Sequence, residues 1–97
     1  MIVAKEIIEV SPYFVICKFN NGEVRKLDVN KVFAERQNDA YAKKILNPSI
    51  FKSVKIGEFG QLYWENMAQI KDLNGQLIQC EYDMSPEFIY HNSTHIR

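Results

Sequence analysis

The densest structural signal in this chain is EYDMSPEFIY, residues 81–90. An apolar-polar alternation ends within it, and either Asp83 or Ser85 can cap a helix that follows. Pro86 suits the first helical position, where its missing N–H costs no hydrogen bond. Glu87 then lies in the first turn, where a negative charge meets the positive end of the helix. The stretch therefore predicts a strand that stops and folds one short helix onto a sheet.

Three antiparallel strands are predicted in the first third of the chain: residues 2–10, 13–19 and 23–29. Asn21-Gly22 separates the last two strands, and it favours a two-residue type I′ turn because that turn needs positive φ at both central positions. This turn would pair Ile16 with Leu27. Both faces of the meander carry apolar side chains, so another element must cover the second face.

Short helices are predicted to provide this cover: residues 31–36, 40–46 and 48–51. Asn30 can cap the first helix, and Asn38 or Asp39 can cap the second. The last turn should place Ile50 or Phe51 in the core.

Four more strands are predicted in the second half of the chain: residues 53–58, 61–65, 68–73 and 76–82. Asn74-Gly75 gives a second hairpin signal between the last two. The whole chain is thus predicted to be α+β, with about six or seven short antiparallel strands in hairpins covered by two or three short helices. The polar residues 91–97 are expected to form a loose tail.

Length and composition indicate one folded domain over residues 1–97. Hydrophobic residues make up 46% of the chain, and twelve Lys or Arg balance twelve Asp or Glu. This balance argues against a disordered chain and against a strongly basic nucleic-acid binder. Residues 1–60 hold ten basic and seven acidic residues, whereas residues 61–97 hold two and five. This asymmetry could steer a charged partner, or it could have arisen by chance.

The two cysteines, Cys17 and Cys80, are predicted to be small buried side chains in a reducing compartment. Neither belongs to a CxxC pair, and each alternates with apolar residues in a predicted strand. A disulfide between them is the alternative. The N-terminal residues carry charge by Lys5, and no run approaches the ~18 apolar residues of a membrane span. The sequence therefore predicts a soluble cytoplasmic protein that does not bind membranes.

No pattern of residues predicts catalysis, a cofactor or a metal site. His91 and His95 have the spacing of two metal ligands on a helix, but the residues between them form helices poorly, so solvated histidines are expected. Asp28, Asp83 and Glu87 are candidate carboxylates, but no pattern places two of them close together, and capping and dipole roles already account for Asp83 and Glu87. The serines lack nucleophile-elbow glycines, and no phosphate-binding loop is present. The chain is predicted not to be an enzyme.

Two candidate interaction surfaces remain. Three residues after the predicted strand 53–58 could form an apolar patch for a protein partner, although Trp64 could equally belong to the core: Tyr63, Trp64 and Met67. Four basic residues could contact phosphates, although a solvated strand and helix surface would look the same: Lys18, Arg25, Lys43 and Lys44.

The order of these signals resembles a bacterial family known as domain of unknown function 2442. The resemblance covers nearly the whole chain and rests on an ordered set of pieces: Phe19-Asn20-Asn21-Gly22, Asp28, Leu46-Asn47-Pro48-Ser49-Ile50-Phe51, the strand of Val54 and Ile56, Leu62-Tyr63-Trp64, and Asp83-Met84-Ser85-Pro86-Glu87-Phe88-Ile89-Tyr90. It implies a small antiparallel α+β domain with no assigned activity. Some members resemble regions beside helix-turn-helix domains, and others lie beside small proteins reminiscent of toxin–antitoxin pairs.

The chain departs from this family between Trp64 and Asp83, where eighteen residues replace a shorter link. The added length holds the Asn74-Gly75 hairpin, which enlarges the predicted sheet, so the resemblance does not establish a partner surface for this chain. The leading hypothesis is a non-enzymatic interaction or regulatory module whose partner is another small protein or a second copy. The alternative is an accessory nucleic-acid-binding or transcription-regulatory domain that uses the basic residues.

Overall fold

Seven strands and four helices make up the part of the protein that the computed structural model describes, residues 1–35 and 40–96. In chain order these elements are β1 (Ala4–Ser11), β2 (Phe14–Phe19), β3 (Val24–Asp28), α1 (Val29–Ala34), α2 (Ala40–Ile45), α3 (Pro48–Phe51), β4 (Lys55–Ile56), β5 (Leu62–Lys71), β6 (Leu77–Met84), α4 (Pro86–Asn92) and β7 (Thr94–His95). Among the described residues, no helix has the length and apolar character required to cross a bilayer.

The strands form two antiparallel sheets. The first sheet has the order β1-β2-β3-β7 and the second has the order β4-β5-β6. The predicted antiparallel α+β class is confirmed. The strands divide between two sheets instead of one, and the described residues contain one helix more than the upper expectation.

The first hairpin uses a three-residue loop, so its predicted register is wrong by one residue. Gly22 has a φ of +89°, and its N–H donates to the Phe19 carbonyl at 2.9 Å. This is the three-residue connection in which the last residue is left-handed. Leu27 therefore lies opposite Val15, not Ile16. Both side chains are fully buried, which explains the register, because a one-residue slip would turn Leu27 away from the core.

The second hairpin has the same loop. Gly75 has a φ of +80°, and its N–H donates to the Asp72 carbonyl at 3.0 Å. The Asp72 carboxylate accepts the N–H groups of Asn74 and Gln76. The two strands predicted over residues 61–65 and 68–73 are one continuous strand, β5. Its register against β6 shifts between Trp64 and Ala68, where Asn66 has a φ of 57°.

Aspartate caps the short helix α1, and asparagine caps the short helix α3. Asp28 caps α1, and its Oδ1 accepts the Lys31 N–H at 3.1 Å. The predicted cap, Asn30, lies inside α1, because the helix begins early enough to bury Val29. Asn47 caps α3, which places Phe51 in the core as predicted. The predicted Arg36 end of α1 and the Asn38 or Asp39 cap of α2 lie outside the described residues.

The stretch at residues 81–90 folds as predicted, and Ser85 is the cap. The Ser85 Oγ accepts the Phe88 N–H at 3.1 Å, and Pro86 occupies the start of α4. Asp83 belongs to β6. Because α4 begins at this fixed point, it places Ile89 in the core.

Residues 91–96 are not a loose tail. His91 and Asn92 complete α4, and β7 then pairs with β3. The Arg25 guanidinium donates to the hydroxyl of Ser93 at 2.8 Å and to its carbonyl at 2.6 Å. The tail prediction was wrong because polar composition does not reveal a long-range partner. Arg97 lies outside the described residues.

The core brings together side chains from both sheets and all four helices. The largest fully buried side chains are Trp64, Phe19, Phe51, Leu27, Ile45, Leu62, Ile89, Val15, Val29 and Cys17. The Trp64 indole N–H donates to the Phe51 carbonyl at 3.1 Å, and the two rings lie 6.0 Å apart. This contact holds the first residues of β5 against α3.

Candidate interaction surface

The distal half of the β5–β6 hairpin, residues 68–80, carries an exposed apolar surface that sequence analysis did not single out. We call it the arm. Four of its large apolar side chains are exposed: Ile70 (56%), Leu73 (105%), Leu77 (63%) and Ile78 (44%). Isolated exposed apolar residues are common, but several on one hairpin are typical of a contact surface.

The arm extends an apolar face that begins in the core. At the end of the β5–β6 hairpin nearest the core, Leu62 lies opposite Met84, and both side chains are buried. Farther out, Ile70 lies opposite Ile78, and both are exposed. Side chains two apart in a strand share a face, so Met84, Ile78 and the residues at alternate positions between them form one stripe along β6. The stripe leaves the core and continues into solvent.

The opposite face of the second sheet carries three carboxylates and two lysines: Glu65, Glu81, Asp83, Lys55 and Lys71. We call it the acidic face. Lys55 Nζ lies 2.9 Å from Glu65 Oε1, and the hydrogen bond that Lys55 donates to this carboxylate raises the pKa of Lys55. Glu81 and Asp83 are exposed on β6, and neither has an ion-pair partner among the described residues. A shallow groove of about 500 Å³ crosses this face, lined by Tyr63, Glu65, Asn66, Gln79, Cys80 and Glu81.

The three residues predicted as a partner surface do not lie together on the surface. Trp64 is fully buried, in agreement with the alternative that it belongs to the core. Tyr63 is half-buried and lies opposite Asp83, on the acidic face. Met67 is half-buried against the core. The sequence shows that apolar residues flank the Asn74-Gly75 turn, but it does not show that they are exposed.

Arg25, one of the four residues of the predicted basic surface, does not share a surface with any of the other three. Arg25 lies opposite Cys17 on the inner face of the first sheet, where it contacts Ser93 and lies 2.9 Å from Glu23 Oε1. Lys18 is exposed on β2, and Lys43 and Lys44 are exposed on α2. The four residues predicted as one surface therefore divide among an inner strand position, an outer strand position and a helix.

Arg25 instead belongs to a polar cluster that holds α4 to the first hairpin. Its guanidinium lies 4.3 Å from the centre of the Tyr90 ring, and the Tyr90 hydroxyl donates to the Glu23 carboxylate. This hydrogen bond, with contributions from Asn21 and Arg25, lowers the pKa of Glu23. The same bond, together with burial, raises the pKa of Tyr90. The cluster has a structural role.

A second concavity, of about 340 Å³, lies where α1, α4 and β7 meet β3. The titratable residues that line it are Lys26, Asp28, Lys31, Glu35 and His91. Asp28 is already engaged as the α1 cap. His91 and His95 lie on different elements, α4 and β7, so they do not share a helix face. Across residues 1–35 and 40–96, no group of three His, Cys, Asp or Glu side chains is placed to hold a metal ion.

Both cysteines are free thiols. Cys17 is buried, and burial raises its pKa to about 12, so its thiolate is scarce at neutral pH. Cys80 is only half-buried, because it lies on the apolar stripe of the arm, where the core no longer covers it.

No protein-family model, curated protein or solved structure matches the chain. The resemblance to domain of unknown function 2442 therefore stays a prediction from the sequence.

Proposed function

We propose that this chain is a non-enzymatic protein–protein interaction module and that its partner binds the arm. The observation that carries the proposal is the apolar stripe that leaves the core and ends in exposed Ile70 and Ile78. The resemblance described above adds a biological setting, a regulatory pair of small cytoplasmic proteins of the toxin–antitoxin kind.

The physical argument is the cost of leaving these side chains in water. Burying a large aliphatic side chain gains about 1.5–3 kcal/mol relative to exposure. A two-stranded ribbon has little stability of its own and benefits when another surface packs against it. A partner that covers the exposed Ile70–Ile78 pair would supply both effects.

The test is affinity capture from the lysate of the source cell, with and without nuclease. The variant Ile70→Thr with Ile78→Thr removes apolar area from the arm but keeps β-branched residues, which suit a strand. The matched control is Ile8→Thr, since Ile8 is 50% exposed on β1 of the other sheet. We expect the wild type and the control to capture the same stoichiometric protein, and the arm variant to lose it.

Equal capture by the arm variant would refute the assignment of the arm. Capture that disappears with nuclease would favour the alternative, an accessory nucleic-acid-binding domain. Circular dichroism of all three proteins must match, which shows that the substitutions changed the surface and not the fold.

A further inference from the structure

β6 is an edge strand of the second sheet. It pairs with β5 on one side, and no strand pairs with its other side in the part of the chain that the structure describes. The eight residues of β6 form one strand without a bulge. The register shift in its pairing with β5 comes from extra residues of β5, between Trp64 and Ala68. The edge strand β1 differs, since two register shifts interrupt its pairing with β2. Bulges of this kind protect an edge from strand addition, and β6 lacks them.

The two faces of β6 have different chemistry. Ile78 and Cys80 lie on the apolar stripe. Gln79, Glu81 and Asp83 lie on the acidic face, which also holds Leu77 at the end of the strand nearest the turn. A strand added beside β6 would place its own side chains alternately on the same two faces. The occupant that fits both faces has apolar residues at one set of alternate positions and basic residues at the other.

We propose that β6 accepts an extended segment of a partner protein in which apolar and basic residues alternate, by addition of a strand to the second sheet. This inference rests on the proposed function and names the chemistry of the partner at that site. Backbone hydrogen bonds to the free edge would supply affinity, and the side-chain alternation would supply specificity.

Charge disfavours a second copy of this chain as the occupant. Two β6 strands could pair antiparallel with their apolar side chains on the same face. In the registers that pair most of each strand, Glu81 would then lie directly or diagonally opposite Glu81 or Asp83 of the second copy. Like charges at such cross-strand positions destabilise the pairing. Basic side chains at the same positions would stabilise it.

The hydrogen-bond register identifies a residue whose substitution blocks the edge. The Asp72 N–H donates to the Gln76 carbonyl at 2.9 Å, which marks this pair as hydrogen-bonded. Since the direction of the N–H groups alternates along an antiparallel strand, Ile78 and Cys80 direct theirs toward β5, and Gln79 directs its N–H toward the free edge. Gln79→Pro would therefore remove an outward donor while leaving the β5–β6 ladder intact.

The experiment measures binding of two fluorescein-labelled synthetic peptides to the full chain by fluorescence polarisation. One peptide alternates lysine and valine over the length of β6, and the other has glutamate in place of lysine. We expect the lysine peptide to bind about tenfold or more tightly than the glutamate peptide, from two cross-strand ion pairs gained. Added salt should weaken its binding through screening. Gln79→Pro should abolish binding, whereas the control Gln79→Thr should retain it.

The variant Glu81→Lys with Asp83→Lys provides a second test that does not depend on how well the proline variant folds. Both side chains are exposed, and the variant should reverse the preference between the peptides. The inference is overturned if the lysine peptide does not bind, if both peptides bind equally, or if Gln79→Pro leaves binding unchanged in a folded protein. It is also overturned if sedimentation shows a dimer that Gln79→Pro dissociates. Capture through the arm that is lost with Ile70→Thr and Ile78→Thr would still support the proposed function in each of these cases.

Discussion

Replacing Trp64 with phenylalanine tests whether this residue is part of the core or part of a partner surface. The side chain is fully buried, and its indole N–H donates to the Phe51 carbonyl at 3.1 Å. That carbonyl also accepts the Val54 N–H at 3.3 Å, so it keeps one partner, and the lost hydrogen bond should cost about 1 kcal/mol. The smaller ring removes about three buried ring atoms, worth roughly another 2 kcal/mol.

We therefore expect Trp64→Phe to lower the free energy of unfolding by about 3 kcal/mol. For a domain of this length the thermal midpoint should fall by roughly 15 °C. The measurement is urea or thermal unfolding followed by circular dichroism, since the substitution removes the single Trp of the chain. The matched control is Tyr63→Phe on the opposite face, which should change the free energy of unfolding by less than about 0.5 kcal/mol.

The reasoning fails if Trp64→Phe lowers the free energy of unfolding by less than about 0.5 kcal/mol. Loss of a buried, hydrogen-bonded indole should have a larger effect than that. Loss of partner capture in a variant of unchanged stability would be the opposite result, and it would place Trp64 at the interface. A large loss of stability with normal capture by the folded fraction would confirm its role in the core.

Two further predictions concern α4 and the cluster that holds it. Ser85→Ala should reduce the free energy of unfolding by about 0.5–2 kcal/mol through loss of the cap. Pro86→Ala should change it only slightly, and Asp83→Ala should leave it nearly unchanged. Equal losses for Ser85→Ala and Asp83→Ala in urea unfolding would contradict the assignment of Ser85 as the cap. Glu23 has a lowered pKa in the folded protein, so its contribution to stability is present above the usual glutamate range and is lost as the pH falls through the folded pKa. Glu23→Gln should be less stable than the wild type at neutral pH and should approach it below about pH 4; parallel pH profiles of the two proteins would contradict this linkage.

Much of the fold follows from local rules that the sequence displays. The Asp83–Tyr90 segment combines capping, proline placement and an apolar anchor, and all three indicate the same helix start. The strand alternation around Val15, Cys17 and Phe19 likewise predicts one buried face, and all three side chains are buried. Agreement between local propensity and the hydrophobic pattern made these elements predictable.

Other parts of the structure depend on long-range contacts that composition does not reveal. Residues 91–96 are polar, yet Arg25 holds Ser93 by two hydrogen bonds and β7 pairs with β3. The division of the strands into two sheets has a similar origin, because only tertiary packing decides which hairpins share a ladder. The arm was missed for another reason: its alternation resembles that of any half-buried strand, and burial cannot be read from alternation alone.

The length of one turn has the largest consequence for function. A two-residue loop at Asn21-Gly22 would pair Lys18 with Arg25 and leave both on the outer face of the first sheet, which would favour binding of phosphates. The three-residue loop instead pairs Cys17 with Arg25. The guanidinium therefore contacts Ser93 and the Tyr90 ring and is mostly buried. The same loop type at Gly75 places Ile70 opposite Ile78 and brings both side chains onto the stripe that leaves the core. Because side chains in a strand alternate between faces, one additional loop residue decides which side chains are available to a partner. The two registers remove Arg25 from the predicted basic surface and place Ile70 and Ile78 together on an exposed apolar surface.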